Sequence, residues 1–166
     1  VFGLKTTVGL WPTDGVCPLS RTLDTIGPLT RSAADAALVF GVLSGRPPAP
    51  PAPSFGLRLG KPTALFFDDL DPDVERCSAA MVAALTEAGA EIVDIDLPEV
   101  AELSIIFAPI SACELITVLG RDRFLAERDK MDPVVAGRAA LGLETTADAY
   151  IQLLWRHRDL CRIMDE

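Results

Sequence analysis

The chain has 166 residues, of which 49% are hydrophobic, and it carries a formal net charge of −9. This length and apolar content suit one domain, or one lobe of a larger domain, with a buried core. The negative charge leaves no basic surface for phosphates, so nucleic acid and anionic membranes are not expected partners. We expect a soluble cytoplasmic protein without the stretch of about 18 apolar residues that spans a bilayer. Four widely spaced cysteines without a CxxC pair predict buried reduced thiols rather than a zinc site.

The N-terminal part of the chain predicts two short extended segments and one helix. Residues 2–8 predict a strand, and residues 11–18 are rich in turn-forming Pro, Asp and Gly. Residues 23–29 predict a second extended segment, which ends at a Gly-Pro turn. Ser32 has the position of a helix N-cap, and Gly45 has the position of the residue that follows a helix. We therefore expect a helix between Ser32 and Gly45.

A proline-rich connector precedes a strand–helix–strand pattern. Residues 45–54 read GRPPAPPAPS and favour extended polyproline geometry. We interpret them as a stiff spacer, with a ligand for an SH3-type domain as the weaker alternative. Residues 63–67 (TALFF) predict a buried strand, Asp71 and Pro72 predict a helix start, and residues 91–98 alternate like a second strand. This spacing is typical of a right-handed parallel crossover.

The rest of the chain is predicted to be helical. Apolar spacing over residues 99–127 predicts a long helix that is kinked or split at Pro109. An Asp-Pro pair at 132–133 predicts a second helix start, and a threonine at 145 or 146 predicts a third. The fold class is therefore α/β. The predicted segments are 1–45 (core strand and helix), 46–61 (connector), 62–98 (βαβ unit) and 99–166 (helical part).

Several residues of chemically active types are predicted to have no catalytic role. Asp68, Asp69, Asp71 and Asp73 lack the ordered 12-residue loop of a calcium site, so we interpret them as solvated carboxylates. The same turn lacks the glycines of a dinucleotide site. His157 lies between two arginines that disfavour its protonation, and no G-x-S-x-G motif supplies a serine for it. We predict no catalytic residue and no metal site in the chain.

Glu114 is the most informative charged residue in the helical part. It lies among apolar residues, and a carboxylate in that setting must be paired or must face a cavity. Arg138 is a candidate partner for Glu114 or a candidate group for binding a ligand carboxylate. The spacing does not choose between these roles. The residues alone thus predict a soluble α/β lobe without an identifiable active site.

Several segments of the chain resemble the amidase signature family. Residues 1–9 (VFGLKTTVG) are similar to its Gly-Leu-Lys-Pro-Thr segment, and residues 15–45 are similar to the strand and helix that follow. Residues 71–98 resemble a helix and strand of the family, SACEL at 111–115 its helix with a glutamate, and residues 138–158 its Arg-x-x-x-Gly and Tyr helix. The resemblance implies part of an α/β core with a mixed sheet, flanking helices and a helical C-terminal part.

The resemblance also implies a mechanism whose catalysts lie elsewhere. The family hydrolyses amides with a Ser, a cis-Ser and a Lys, which precede the Gly-Leu-Lys segment and so lie outside these residues. Lys5 matches the structural lysine of that segment rather than the catalytic lysine. Arg138 matches an arginine that binds the substrate carboxylate in glutamine-using members. Thr6 and Leu10 depart from the Pro and Arg that are common in the family. The resemblance implies no cofactor.

Three functions are compatible with these observations. The first is a segment of an amidase that hydrolyses a small carboxamide to acid and ammonia, and the segment alone is predicted to be inactive. The second is the A subunit of a tRNA-dependent amidotransferase, and the third is a non-catalytic α/β interaction module. We expect both ends to be internal to a longer chain. The open edge of the predicted strand at residues 2–8 favours self-association into a homo-oligomer.

Overall fold

A computed structural model describes residues 1–47, 53 and 55–165. The described residues form two compact units, one from residues before position 50 together with those from Ser104 onward, the other from residues between positions 50 and 103. The described strands are β1 (Phe2–Gly3), β2 (Leu29–Thr30), β3 (Arg58–Pro62) and β4 (Glu91–Ile95). The described α-helices are α1 (Ala33–Ser44), α2 (Pro72–Glu87), α3 (Leu103–Leu119), α4 (Arg121–Glu127), α5 (Pro133–Glu144) and α6 (Ala147–Asp165). Short 3₁₀ turns occupy Pro98–Glu102 and Arg128–Lys130.

The first strands are much shorter than the sequence predicts. β1 and β2 pair antiparallel over two residues each, instead of the predicted segments at 2–8 and 23–29. Thr6 leaves the strand because its buried hydroxyl donates to the carbonyl of Ile26 at 2.7 Å. Leu23 belongs to a turn, in which its N–H donates to the carbonyl of Ser20 at 3.2 Å. Side-chain and turn bonds thus replace the ladder that the apolar pattern predicts.

Helix α1 begins and ends where its capping residues predict. The backbone N–H of Asp35 donates to Ser32 Oγ at 3.1 Å, which satisfies one free donor at the helix start. Gly45 has a left-handed φ of 63°, and its N–H bonds back to the last turn. Trp11 packs against Phe40 of this helix with ring centroids 5.7 Å apart. The predicted helix between Ser32 and Gly45 is confirmed.

The core of the first unit is built between α3 and the helices that follow it. One buried cluster joins Ile106 and Ile110 of α3 to Leu160 of α6. A second cluster joins Ile116 of α3, Phe124 of α4 and Ala139 of α5. Because all three later helices bury side chains against α3, this helix is the central element of the unit.

Helix α3 continues through Pro109, so the split that was predicted there as the alternative to a kink does not occur. Pro109 lies inside the helix, which ends at Leu119. Gly120, whose φ is 85°, separates it from α4. By length and hydropathy alone, Pro98–Leu119 could cross a membrane, so the expectation that no stretch is long enough is wrong. Core helices of soluble proteins pass the same test, and Ile106 and Ile110 are buried against α6. The length and hydropathy of Pro98–Leu119 are therefore weak evidence for a membrane-spanning segment.

The second unit is a parallel strand pair connected by a helix. β3 pairs with β4 in a register from Arg58 opposite Glu91 to Pro62 opposite Ile95, which confirms the predicted parallel crossover. The first strand of this pair, β3, lies at Arg58–Pro62, almost entirely within the predicted connector at 46–61, and not at 63–67.

The apolar residues at 63–67 form an exposed turn instead of a strand. Leu65 has a left-handed φ of 66° and is 50% exposed, and its N–H donates to Asp68 Oδ2 at 2.7 Å. The Asp68 carboxylate therefore accepts the backbone N–H of Leu65, which in a strand would donate to a neighbouring strand. Helix α2 begins as predicted, with Asp71 accepting from the N–H of Asp73 at 2.9 Å and Pro72 in the first position. Most of the proline-rich segment lies outside the described residues.

Candidate functional site

The Glu114 carboxylate accepts hydrogen bonds from two separate parts of the first unit, the loop before β2 and helix α6. Its Oε2 atom accepts from Ser20 Oγ at 2.6 Å and from the backbone N–H of Thr22 at 2.9 Å. Its Oε1 atom accepts from Thr22 Oγ1 and from Tyr150 Oη, the latter at 2.6 Å. We call Glu114, Ser20, Thr22 and Tyr150 the Glu114 cluster. It ties the loop before β2 to helices α3 and α6.

The Glu114 cluster holds an ionised carboxylate beside a protonated phenol. Burial opposes the charge of Glu114, but the bonds from Ser20, Thr22 and Tyr150 outweigh it and lower the pKa of the carboxyl below its usual value. Burial, together with the hydrogen bond to Glu114, raises the pKa of Tyr150 to about 12. Among the residues that the structure describes, no lysine, arginine or histidine nitrogen lies within 4 Å of this carboxylate. Glu114 is therefore poorly suited to take up a proton near neutral pH.

A second carboxylate holds the start of the same loop. Asp24 Oδ2 accepts from the backbone N–H of Leu19 at 2.9 Å and from that of Ser20 at 3.0 Å. Ser20 is 1% exposed, and its hydroxyl also accepts from the N–H of Leu23 at 3.2 Å. The loop has no regular secondary structure, so these side-chain bonds determine its position.

Two cavities of the first unit lie along α3. The larger one, of about 590 Å³, contains Glu114 and Tyr150, with Arg21 among its other lining residues. The smaller one, of about 240 Å³, is lined largely by apolar side chains and contains one cation, Arg138. We call the smaller one the Arg138 cavity; its lining residues are Leu19, Phe107, Ser111, Ala112, Leu115, Val135, Arg138 and Ala139.

Arg138 is not the partner of Glu114. It lies on α5, is exposed, and makes no ion pair with any carboxylate among the described residues. Glu114 is instead bound by hydroxyl groups and one backbone N–H, none of which carries a charge. The first of the two roles left open for Arg138, that of a partner for Glu114, is therefore excluded, and the second, that of a group for binding a ligand carboxylate, stays a prediction.

Other predicted residues are dispersed over the described parts of the chain. Lys5 Nζ donates to the carbonyl of its neighbour Thr6 at 3.1 Å. His157 is half-buried on α6, with its Nε2 atom 3.7 Å from the sulfur of Cys161. The four aspartates at 68, 69, 71 and 73 are exposed, and no cluster of metal-ligating side chains occurs in the described residues.

The prediction of buried thiols is wrong. The cysteines at 17, 77 and 161 are exposed, the one at 113 is half-buried, and all four are free. Cys17 lies in a segment without regular secondary structure, and Cys77 lies in α2, a helix without buried residues. Free cysteines are often buried in proteins, but this general tendency did not predict the exposure of these residues.

The sequence of the chain matches the Amidase family over residues 1–154. The chain belongs to the Amidase family. A crystal structure of an amidase superimposes on 95% of this chain and 36% of its own, with a TM-score of 0.81 and 23% identity. The allophanate hydrolase of Kluyveromyces lactis superimposes on 97% of this chain and 28% of its own, with a TM-score of 0.72 and 20% identity. These superpositions confirm the α/β amidase fold.

Two relatives of this amidase-family chain have names that describe an activity. The 2-amino-5-chloromuconic acid deaminase of Comamonas testosteroni is 39% identical over 156 residues, which are 90% of this chain and 34% of the relative. The indoleacetamide hydrolase of Agrobacterium vitis is 38% identical over 105 residues, which are 63% of this chain and 22% of the relative. The amidase-family chain thus spans about a third or less of the length of these relatives.

Sequence reasoning identified the acceptor of the Glu114 cluster but missed its donors. Ser20 and Thr22 lie between the predicted turns at 11–18 and the predicted extended segment at 23–29, and Tyr150 lies in the segment that resembles the family's Tyr helix; none of the three is predicted to be a donor. The available signal was that a carboxylate among apolar residues of an amidase-family helix requires several donors. Ser20 lies 94 positions away from Glu114, so a single sequence did not show which donors meet it.

Proposed function

We propose that the chain is part of an amidase that hydrolyses a small carboxamide to an acid and ammonia. Membership of the Amidase family and the hydrolase and deaminase relatives support this function. They do not favour an amidotransferase subunit or a non-catalytic interaction module. The net charge of −9 favours a small-molecule substrate over nucleic acid, and we place the enzyme in the cytoplasm.

The proposed chemistry is acyl transfer by a Ser–cis-Ser–Lys triad that lies outside these residues. The lysine deprotonates the nucleophilic serine through the cis-Ser, and backbone N–H groups stabilise the tetrahedral intermediate. Glu114 does not replace the missing base, because both of its oxygens already accept hydrogen bonds. The chain contributes part of the wall of the substrate pocket.

Arg138 is proposed to bind a carboxylate of the substrate. The observation that carries this assignment is an exposed guanidinium group without an ion pair among the described residues, beside a largely apolar cavity of about 240 Å³. A guanidinium group binds a carboxylate through two parallel hydrogen bonds, and apolar walls strengthen this attraction. Phe107 and Leu115 provide such walls for the uncharged part of the substrate.

Steady-state kinetics of ammonia release test both parts of the proposal. In the enzyme that contains these residues, Arg138→Gln raises KM about tenfold or more for an amide that carries a carboxylate, and leaves KM for a neutral amide of similar size unchanged. Arg76→Gln, which removes an exposed arginine paired with Asp73, is the control and changes neither constant. An equal KM for Arg138→Gln and the wild type on the acidic amide refutes the carboxylate site.

The 166-residue chain by itself releases no ammonia from any amide, because the triad acts as a unit. Turnover by the purified chain above the rate of a heat-denatured sample contradicts a triad outside these residues. A complete enzyme that hydrolyses no carboxamide contradicts the proposed function as a whole.

A further inference from the structure

The Arg138 cavity is assembled from three separate pieces of the first unit. Helix α3 contributes Phe107 and Leu115 among other residues, α5 contributes Arg138 and its neighbours, and the loop before β2 contributes Leu19. The two helices are fixed by direct packing, because Gly142 of α5 lies against the backbone of α3 at Ala112. Leu19 is 51% exposed, so it is less firmly packed than these helices.

The position of Leu19 depends on hydrogen bonds made by its neighbours. Its own N–H and that of Ser20 both donate to Asp24, which closes the start of the loop into a turn. That turn is joined to the rest of the unit by Ser20 Oγ and by the N–H and hydroxyl of Thr22, all of which donate to Glu114. Glu114 therefore connects the wall residue Leu19 to helix α3.

Glu114 lies next to cavity residues on its own helix. Leu115 follows it directly, and Ser111 and Ala112 precede it within one turn, so one rigid element holds both the loop and the cavity wall. Tyr150 of α6 donates to the Oε1 atom of Glu114 at 2.6 Å, which limits rotation of the carboxylate. A carboxylate held in this way is a fixed anchor for the loop.

We propose that Glu114 is a positioning residue that holds Leu19 against α3 and α5, and so determines how tightly the Arg138 cavity binds substrate. This inference rests on the proposed function. In this role Glu114 touches no substrate atom and transfers no proton. Loss of the anchor moves a pocket wall that contacts the unreactive part of the substrate, so it weakens the substrate complex and the transition state equally. The expected signature is a higher KM with an unchanged kcat.

A matched pair of substitutions separates anchoring from general damage to the fold. Thr22→Val removes the hydroxyl that donates to Glu114 and keeps a β-branched side chain, whereas Thr22→Ser keeps the hydroxyl. In the enzyme that contains this chain, Thr22→Val and Glu114→Gln raise KM about five- to thirtyfold for acidic and neutral amides alike. Thr22→Ser stays near the wild-type KM, and kcat stays within about twofold for all three variants.

Three controls make each outcome decisive. Glu127→Gln removes an exposed carboxylate paired with Lys130, and it leaves KM unchanged. Arg138→Gln changes KM for the acidic amide alone, whereas loss of the anchor changes it for both amides. Amide hydrogen exchange at Leu19 and Ser20 becomes faster in Thr22→Val and not in Thr22→Ser, whether or not the sample is active.

The failure of this inference is distinguishable from the failure of the proposed function. If the wild-type enzyme is inactive, the proposed amidase function is wrong. The proposed effect of Glu114 on substrate affinity is then wrong as well. A wild type that hydrolyses amides, with an unchanged KM in Thr22→Val, overturns the positioning role alone. If Glu114→Gln lowers kcat and shifts the acid limb of the pH–rate profile, Glu114 takes part in catalysis. This result also overturns the positioning role.

Discussion

Replacing Gly142 with alanine tests the packing of α5 against α3. A Cβ atom at this position would lie 2.6 Å from the carbonyl carbon of Ala112 and 2.9 Å from the backbone nitrogen of Cys113. Both are backbone atoms, so the clash is relieved only if one helix moves. Overpacking of this kind costs up to about 3 kcal/mol. The better helix propensity of alanine offsets about 1 kcal/mol, which leaves a destabilisation of about 2 kcal/mol.

The same helix provides the control for this substitution. A Cβ atom at Gly137 meets nothing within 4 Å, so Gly137→Ala gains the helix propensity of about 1 kcal/mol without a clash. The two variants should therefore differ by about 3 kcal/mol in the free energy of unfolding.

Urea unfolding measures this difference directly. Trp11 and Trp155 both belong to the first unit, so their fluorescence follows the unit that contains the substitutions. The midpoint should fall for Gly142→Ala and rise for Gly137→Ala, with similar slopes. If both variants shift in the same direction by similar amounts, close helix packing at Gly142 is refuted.

Three further predictions concern the Glu114 cluster and the short strands. Glu114→Gln lowers the unfolding free energy by about 1–3 kcal/mol at pH 7 because its donors lose a charged acceptor. The lowered pKa of Glu114 gives the wild type stability that is lost as pH falls through that pKa, so parallel acid limbs in urea titrations of the two proteins contradict the cluster. Tyr150→Phe costs about 1.5–3 kcal/mol. Because the folded pKa of Tyr150 is about 12, the wild type loses stability from about pH 10 upward; the same alkaline loss in the variant contradicts this cause. In the part of the chain that the structure describes, β1 and β2 pair only with each other, so sedimentation should show self-association that rises with concentration, and a monomer at all concentrations refutes it.

The starts of helices α1, α2, α5 and α6 could be predicted because their chemistry is local. Ser32, Asp71 and Asp132 each cap a helix by accepting an N–H from two or three residues further along the chain. Such bonds join neighbours in sequence, so the residue types were sufficient. Thr146 does the same at the start of α6, where its hydroxyl accepts from the N–H of Ala149 at 3.4 Å.

The strands could not be placed in the same way because a strand needs a partner. Residues 63–67 are more apolar than Arg58–Pro62, yet the latter pair with Glu91–Ile95. The backbone N–H of Leu65 donates to Asp68 in a turn, so residues 63–67 do not form the strand that their apolar content predicts.

The candidate site was predicted only in part, for a related reason. Burial of Glu114 follows from its apolar neighbours, and the role proposed for Arg138 came from the family resemblance. The donors to Glu114 depend on how the loop and α6 pack against α3. Glu114 and Tyr150 are 36 positions apart, a separation that residue types alone do not bridge.

The wide sequence separation within the Glu114 cluster has a consequence for the order of folding. Helices α3 to α6 follow one another closely, so their mutual contacts close short loops and form early. The bonds from Ser20 and Thr22 to Glu114 close loops of 94 and 92 residues, which carry a larger entropic cost. We therefore expect the loop before β2 to dock after the helices have assembled. Substitutions of Ser20 and Thr22 then accelerate unfolding and leave the refolding rate almost unchanged.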